Sequence, residues 1–338
     1  MSCSLTQTLA PGLLQAGVTE IHAITPLTEG LSNSNYYVQG RHSNPLAGTK
    51  WVLRLNSHAS SAICDRRSEV EIWRQVSQAK LAPNIVYISP DHRFYLSEYL
   101  EQTGTKRWSQ LLCERSAVAD EQASIWPGAE HLLLSLLNGL SALAPPAHVI
   151  TLRQQWQIYN RRLTAMQQQL RSNDDHPLTC QWQQQMHCLT AQSDNINRLL
   201  LTLEHCCIRQ QFSHRDLNPQ NILRMQDRLY CIDFEYACRS HPLCDLASVL
   251  SSHALSSSQR DWLIDHYLSQ NQNLNQHAKA AVPAAIDLYW VFAVSWALQM
   301  AFDNMMQADQ VNTMATNMQQ VETYLHCAKE YQALMRAG

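Results

Sequence analysis

A short segment with β-strand character interrupts the helical second half of the chain, and it limits the possible folds more than any other feature. The β-prone runs 222–223 and 229–232 flank the turn pair Gln226-Asp227, which predicts one isolated hairpin. Apolar residues at helical spacing surround it, over residues 129–143, 152–170, 181–203 and the C-terminal part of the chain. Polar residues stand at both ends of this hairpin, which makes it the first candidate for a functional site.

The N-terminal third of the chain has the opposite character and predicts a small sheet with one helix. Runs 36–38 and 51–55 are β-prone and are separated by a turn-rich stretch, which predicts a first hairpin. Apolar spacing predicts a helix within 61–80, and runs 85–88 and 94–96 predict a second hairpin. The sequence therefore predicts an α+β protein with two lobes, a small antiparallel-sheet lobe and a larger, mostly helical lobe.

Composition excludes several classes of protein. The chain has nine glycines, and their positions cannot form a G-x-G-x-x-G dinucleotide turn or a G-x-x-x-x-G-K-[ST] P-loop. A net charge of -3 provides no electrostatic basis for binding nucleic acid or an anionic membrane. We therefore expect neither a nucleic acid nor a membrane as partner.

The cysteines and the apolar stretches indicate the compartment. Eleven cysteines occur without a C-x-x-C pair, which favours free thiols in a reducing cytoplasm. The N-terminus lacks the basic region of a signal peptide. The most apolar stretch, 284–301, is interrupted by Asp287, Ser295 and Gln299, so we predict a buried core helix there. The expected localisation is cytoplasmic.

The polar ends of the hairpin carry groups that suit phosphoryl transfer. His214-Arg215-Asp216 is followed by Asn221, and Asp233 stands directly after the second strand. Such a transfer needs a carboxylate near the attacking hydroxyl and oxygen ligands for Mg²⁺. We predict that Asp216 orients and deprotonates the acceptor, that Asn221 and Asp233 hold Mg²⁺, and that His214 supports the loop through hydrogen bonds.

These motifs resemble the superfamily of aminoglycoside phosphotransferases, choline and ethanolamine kinases and bacterial thiamine kinases. Residues 232–237, followed by Pro242 and 245–247, are similar to the choline and thiamine kinase branch, whereas Asn218 stands where many members carry a histidine. The resemblance implies a bilobal protein-kinase-like fold that uses ATP and Mg²⁺. It places the nucleotide-binding lobe at 1–101 and the helical lobe, with the catalytic loop and acceptor site, at 102–338.

The family's phosphate-covering loop resembles the start of the first hairpin, which implies nucleotide contacts at Gly30, Ser32, Asn33, Ser34 and Asn35. One glycine allows the turn, while backbone N–H groups and short polar side chains can line phosphate oxygens.

The next strand is expected to carry the cation that pairs with the nucleotide phosphates. The resemblance places Arg54 at that position, and Lys50 on the same strand face is a weaker candidate. Its partner on the helix is Glu69 or, failing that, Glu71, since residues two apart on a helix cannot both face the strand.

Residues 96–101 resemble the hinge of this family, whose backbone binds adenine, and imply nucleotide contacts at Glu98, Tyr99 and Leu100.

The acceptor is expected to be a small alcohol rather than a protein. Glu235 replaces the glycine of the protein-kinase D-F-G motif, and eleven residues between Asp233 and Asp245 leave no room for a long activation loop. Trp290 and Trp296 resemble the aromatic region where choline kinases hold quaternary ammonium, although plain core remains an alternative. Glu235 and Asp245 suit a cationic acceptor of the thiamine, choline or ethanolamine type.

The resulting hypothesis is an ATP-dependent small-molecule kinase. The alternatives are an aminoglycoside-type phosphotransferase, a protein kinase and a catalytically silent nucleotide-binding pseudokinase. The sequence leaves the oligomeric state open.

Overall fold

The N-terminal part of the computed structural model forms a five-stranded antiparallel sheet. The structure describes residues 2–27, 33–56, 64–102, 107–112, 126–170, 177–308 and 314–335. The strands are β1 (Val18–Leu27), β2 (Ser34–His42), β3 (Lys50–Leu55), β4 (Ile85–Ile88) and β5 (Phe94–Glu98), in the order β1-β2-β3-β5-β4. Both predicted hairpins are present. Strand β1 was not predicted, and it lies at one edge of the sheet.

Two helices accompany this sheet. Helix α1 (Ser2–Gln15) packs on β1 and contributes Leu13 to a small core that also contains Trp51 and Leu96. Helix α2 (Arg66–Gln78) is preceded by the N-cap residue Asp65, whose side chain accepts hydrogen bonds from the first helical N–H groups. This cap explains why the helix begins within the predicted range 61–80 rather than at its start.

Helices form most of the rest of the chain, as the periodicity predicts. They are α3 (Ala129–Ser141), α4 (Leu152–Leu170), α5 (Pro177–Ala191), α6 (Ser193–Cys206), α7 (Leu243–Ser252), α8 (Ser257–Gln270), α9 (Ala278–Ala308) and α10 (Met314–Leu334). The stretch predicted as one helix over 181–203 is divided between α5 and α6, which meet at Gln192. The α+β class, with a small antiparallel sheet and a larger helical part, is confirmed.

The central hairpin has the predicted position and pairing. Strands β7 (Ile222–Met225) and β8 (Arg228–Cys231) are antiparallel, and Gln226 in the turn has φ of 56°. A second two-stranded sheet, formed by β6 (Gln211–Ser213) and β9 (Cys238–Ser240), lies beside it. The two small sheets thus hold the segments 214–221 and 232–237 from both sides.

Helix α9 is the apolar helix that raised the question of a membrane. The stretch Ala278–Met306 is long and apolar enough to cross a bilayer, yet 67% of its most apolar window is buried inside the protein. Its neighbours include α4, α6, α7 and α10. It therefore has the character of the buried core helix that the sequence predicts. The predicted boundary between residues 101 and 102 follows the last strand of the sheet and stays a prediction.

Candidate active site

A large cavity of about 1580 Å³ lies between the sheet and the helical part. Twelve of the predicted site residues line it, from both sides: Asn33, Asn35, Arg54, Glu98, Tyr99, Leu100, Asp216, Asn221, Asp233, Glu235, Trp290 and Trp296. Ser34 is exposed at the start of β2, and Gly30 and Ser32 lie outside the described residues. His214, Glu69 and Asp245 are buried near the cavity without lining it.

Asp245 holds the loop that carries Asp216. One of its carboxylate oxygens accepts hydrogen bonds from Ser213 Oγ at 2.8 Å and from the Arg215 N–H at 2.7 Å. The other accepts the His214 N–H at 3.0 Å. Arg215 has φ of 69°, a left-handed conformation that is unfavourable for a residue with a Cβ atom. Asp245 in the first turn of α7 therefore fixes a strained turn just before Asp216.

Two amide side chains orient the Asp216 carboxylate toward the cavity. Asn221 Nδ2 donates to Asp216 Oδ2 at 2.7 Å, and Asn218 Nδ2 donates to Oδ1 at 2.9 Å. Burial raises the pKa of Asp216 to about 6, although the Asn218 hydrogen bond opposes this change. Asn218 thus holds one oxygen of the Asp216 carboxylate. Its place two residues after Asp216 was the only sequence signal for this role.

His214 supports the loop through a hydrogen bond to the backbone of Ile232. The ring is fully buried, and its Nε2 lies 3.1 Å from the carbonyl oxygen of Ile232, the residue before Asp233. Burial lowers the pKa of His214 to about 4, so the neutral ring donates this hydrogen bond near neutral pH. His214 therefore joins the Asp216 loop to the segment that carries Asp233.

A buried cluster of charges connects the sheet to Asp233. Arg54 Nη1 on β3 lies 3.0 Å from Glu69 Oε1 on α2 and 3.4 Å from Asp233 Oδ1. Although burial opposes charge, the carboxylates of Asp233, Glu69 and Glu235 raise the pKa of Arg54 above its ordinary value. Glu69 is 1% exposed, whereas Glu71 is exposed. The structure pairs Arg54 with the first of the two candidates.

The alternative cation, Lys50, serves a different purpose. Its Nζ lies 3.1 Å from Glu101 Oε2 at the surface, and its carbonyl oxygen accepts the Tyr99 N–H at 3.2 Å. Glu98 Oε2 accepts from Asn84 Nδ2 at 2.8 Å. These bonds fix the predicted hinge against the neighbouring strands, so Arg54 is the cation of this strand that faces the cavity.

Glu235 and Asp245, which the sequence suggested as acceptor contacts, both bind neighbouring groups of the chain. Asp245 is 3% exposed and its oxygens are engaged by the loop, as described above. Glu235 Oε1 accepts from Asn33 Nδ2 at 2.7 Å and from Arg66 Nη1 at 2.9 Å, and it also contacts Arg54. Both carboxylates thus bind neighbouring groups of the chain. Arg66 was missed in the sequence, where its only signal is a position three residues before Glu69.

Aromatic residues of the helical part form the far wall of the cavity. Trp290 is 8% exposed and stacks on Tyr331, with ring centroids 5.5 Å apart. Trp296 is more open and meets Tyr324 edge to face at 5.5 Å. Asp303, seven residues after Trp296 and therefore on the same face of α9, also lines the cavity. Asp303 was not among the predicted site residues, although its helical spacing from Trp296 is visible in the sequence.

Asn221 and Asp233 could hold a metal ion. Both line the cavity and supply amide and carboxylate oxygens, the ligands that Mg²⁺ prefers. Carboxylate oxygens of Glu69, Asp233 and Glu235 also lie within 4.8 Å of one another. Glu69 is the less suitable ligand because two arginines engage it and it does not line the cavity, whereas Asp233 lines the cavity and has one arginine contact, at 3.4 Å. The donor set at Asn221 and Asp233 fits a magnesium ion.

Comparisons with known proteins agree with this architecture. Protein LicA of Haemophilus influenzae is 24% identical over 250 residues, which cover 73% of this chain and 63% of that protein. A choline/ethanolamine kinase family protein of Mesorhizobium loti superposes with a TM-score of 0.59 at 16% identity, covering 99% of each chain. The choline kinase LicA of Streptococcus pneumoniae gives 0.59 at 13% identity, covering 97% of this chain and 100% of that one.

The resemblance stated from the sequence is thereby confirmed, as is the bilobal kinase-like fold. The family model described as "Phosphotransferase enzyme family" matches residues 23–281, which include β2 through β9 and the whole loop around Asp216. The chain belongs to the phosphotransferase enzyme family.

Proposed function

We propose that this chain is a small-molecule kinase that transfers the γ-phosphate of ATP to a hydroxyl group of a small cationic alcohol. The observation that carries this proposal is the convergence of three groups of residues on one cavity. Asp216 and Asp233 lie on one wall, the Arg54 cluster on the second, and the aromatic residues with Asp303 on the third. A kinase needs a base, a phosphate-binding cation and an acceptor pocket within reach of one another.

The nucleotide would bind on the sheet side. Arg54 is preorganised by Glu69, so its guanidinium can meet phosphate oxygens with little loss of side-chain freedom. The backbone of Tyr99 and Leu100 lies on the cavity wall, where the resemblance places adenine. Asn33 and Asn35 lie at the phosphate end, and Asn35 is the cross-strand neighbour of Arg54.

The magnesium ion proposed here would be held by Asn221 and Asp233, and when bound it would neutralise charge on the nucleotide phosphates. The residues of the chain supply the rest of the chemistry. Asp216 accepts the proton of the acceptor hydroxyl while the hydroxyl oxygen forms the new bond to the γ-phosphorus. The bond to the bridging oxygen breaks and ADP leaves. Since Asn218 and Asn221 fix the Asp216 carboxylate, its contribution is mostly positioning.

A cationic acceptor is supported by the third wall. Asp303 is the carboxylate of that wall in the described part of the chain, and aromatic rings beside it can hold an ammonium group by cation–π contact. Because the oxygens of Glu235 and Asp245 accept hydrogen bonds within the chain, we assign the attraction of the cation to Asp303. Similar solved structures include choline kinases, which supports a choline- or ethanolamine-like alcohol; thiamine is a further candidate. The nine described free cysteines support our proposal of a cytoplasmic setting.

The proposal is tested by ADP release with a panel of alcohols that contains choline, ethanolamine, thiamine, an aminoglycoside and a generic peptide. We expect turnover with a cationic alcohol, and we expect Asp216→Asn and Asp233→Asn to reduce kcat by at least about a thousandfold. Asp227→Asn is the matched control, because this aspartate lies on the hairpin turn between them with a side chain 98% exposed. Binding of Mg·ATP without transfer to any acceptor would identify a pseudokinase, and turnover with the peptide alone would identify a protein kinase.

A further inference from the structure

One oxygen of Glu235 is the meeting point of three hydrogen-bond donors from the sheet side of the cavity. Asn33 Nδ2 lies 2.7 Å from Oε1 and Arg66 Nη1 lies 2.9 Å from it. Arg54 Nη2 contacts the same oxygen. Two guanidinium groups and one amide that converge on a single oxygen form a binding site for an anion.

This anion site is buried and its geometry is fixed. Arg54 and Arg66 are each 8% exposed, and the Glu235 side chain is 6% exposed. Glu69 also pairs with both guanidinium groups, at 3.0 Å from Arg54 Nη1 and 2.8 Å from Arg66 Nη1. The two arginines would therefore keep their positions if Glu235 moved away, because Glu69 continues to pair with both.

Three members of this site face the cavity, and Glu235 is one of them. It lines the cavity together with Asn33 and Arg54, whereas Arg66 is not among the described lining residues. Arg66 is therefore connected to the cavity by its contact with Glu235. A phosphate oxygen placed where Glu235 Oε1 lies would receive the same three donors.

We propose that Arg66 is a second phosphate-binding cation beside Arg54, and that Glu235 competes with a nucleotide phosphate for these two cations. This inference rests on the proposed function. A carboxylate and a phosphate cannot share two cations at close range without strong repulsion. A nucleotide without metal must therefore displace Glu235, while a divalent cation offsets the added negative charge. Glu235 thus makes nucleotide affinity depend on the metal.

The test is calorimetric titration of the full chain with ADP, once in EDTA and once with magnesium chloride. Glu235→Gln removes the competing charge and keeps the volume, so we expect ADP in EDTA to bind about tenfold tighter than to the wild type. The ratio of the two dissociation constants, EDTA over magnesium, should fall accordingly. Arg66→Gln should weaken ADP binding about tenfold in both buffers. Arg67→Gln is the matched control, since this neighbour is exposed and should change neither constant.

The outcomes separate this inference from the function on which it rests. Equal constants for Arg66→Gln and Arg67→Gln, or weaker ADP binding by Glu235→Gln in EDTA, would show that the cluster serves stability alone. A wild type that binds no ADP in either buffer removes the proposed function as well. Thermal unfolding checks that each variant folds. If Arg66→Gln does not fold, Arg66→Lys is tested in its place. Lysine keeps a charge without the planar guanidinium group, and it is expected to weaken ADP binding several-fold.

Discussion

Replacing Asp245 by asparagine distinguishes the role that the structure assigns to this residue from the role that the sequence suggested. The carboxylate accepts three hydrogen bonds, two on Oδ1 and one on Oδ2, from the backbone and side chains of residues 213–215. Asparagine has one acceptor oxygen, and its NH₂ group would face a backbone N–H. At least one buried donor therefore loses its partner, and the remaining bonds lose their charged acceptor.

The magnitude follows from these contacts. A hydrogen bond to a charged group contributes about 1.5–3 kcal/mol, and an unsatisfied buried donor adds about 1–3 kcal/mol, so we expect a loss of stability on the order of 3 kcal/mol. Arg215, with φ of 69°, also loses the bond that holds its left-handed turn. Asp216 follows directly, and a misplaced base lowers kcat by at least about a hundredfold.

The assay combines urea unfolding with steady-state kinetics, and Asp261→Asn on the exposed side of α8 is the matched control. The structure predicts a lower free energy of unfolding and a lower kcat, with KM for the acceptor little changed. A raised KM for a cationic acceptor with unchanged unfolding and unchanged kcat would refute this reasoning. It would restore the direct acceptor contact that the sequence suggested.

Two further predictions concern the acceptor wall and the response to acid. Asp303→Asn should raise KM for a cationic alcohol about tenfold and leave KM for ATP unchanged, whereas an equal effect on both would contradict the assignment. His253 is 1% exposed and burial lowers its pKa to about 3, so its neutral ring can accept the Trp108 Nε1–H at 3.1 Å. Because the pKa of His253 is depressed, its contribution to the free energy of unfolding is complete above about pH 6.5 and is lost as the pH falls toward 3. Urea unfolding should therefore show that the wild type loses about 2 kcal/mol more than His253→Gln between pH 7 and pH 5, and equal losses would exclude this role.

Much of the fold was accessible from the sequence because the signals are local. The hairpin at 222–231 and the strands β2 to β5 follow from short β-prone runs between turn residues, and the helices follow from apolar spacing. Strand β1 was missed because it is an edge strand whose pairing with β2 is defined by the partner rather than by its own pattern. The break between α5 and α6 at Gln192 was missed because no proline or glycine marks it.

The sequence by itself determined the groups whose spacing is set by a short length of chain. Asp216, Asn221 and Asp233 belong to one loop and one hairpin, so their proximity follows from local geometry alone. Only the tertiary structure decided the contacts of Glu235 and Asp245, because their partners come from other elements. Arg66 and Glu235 are 169 residues apart in the chain and meet only when the sheet closes against the helical part. A carboxylate bound by neighbouring donors and one open to an acceptor look identical in sequence, since burial and packing alone separate them.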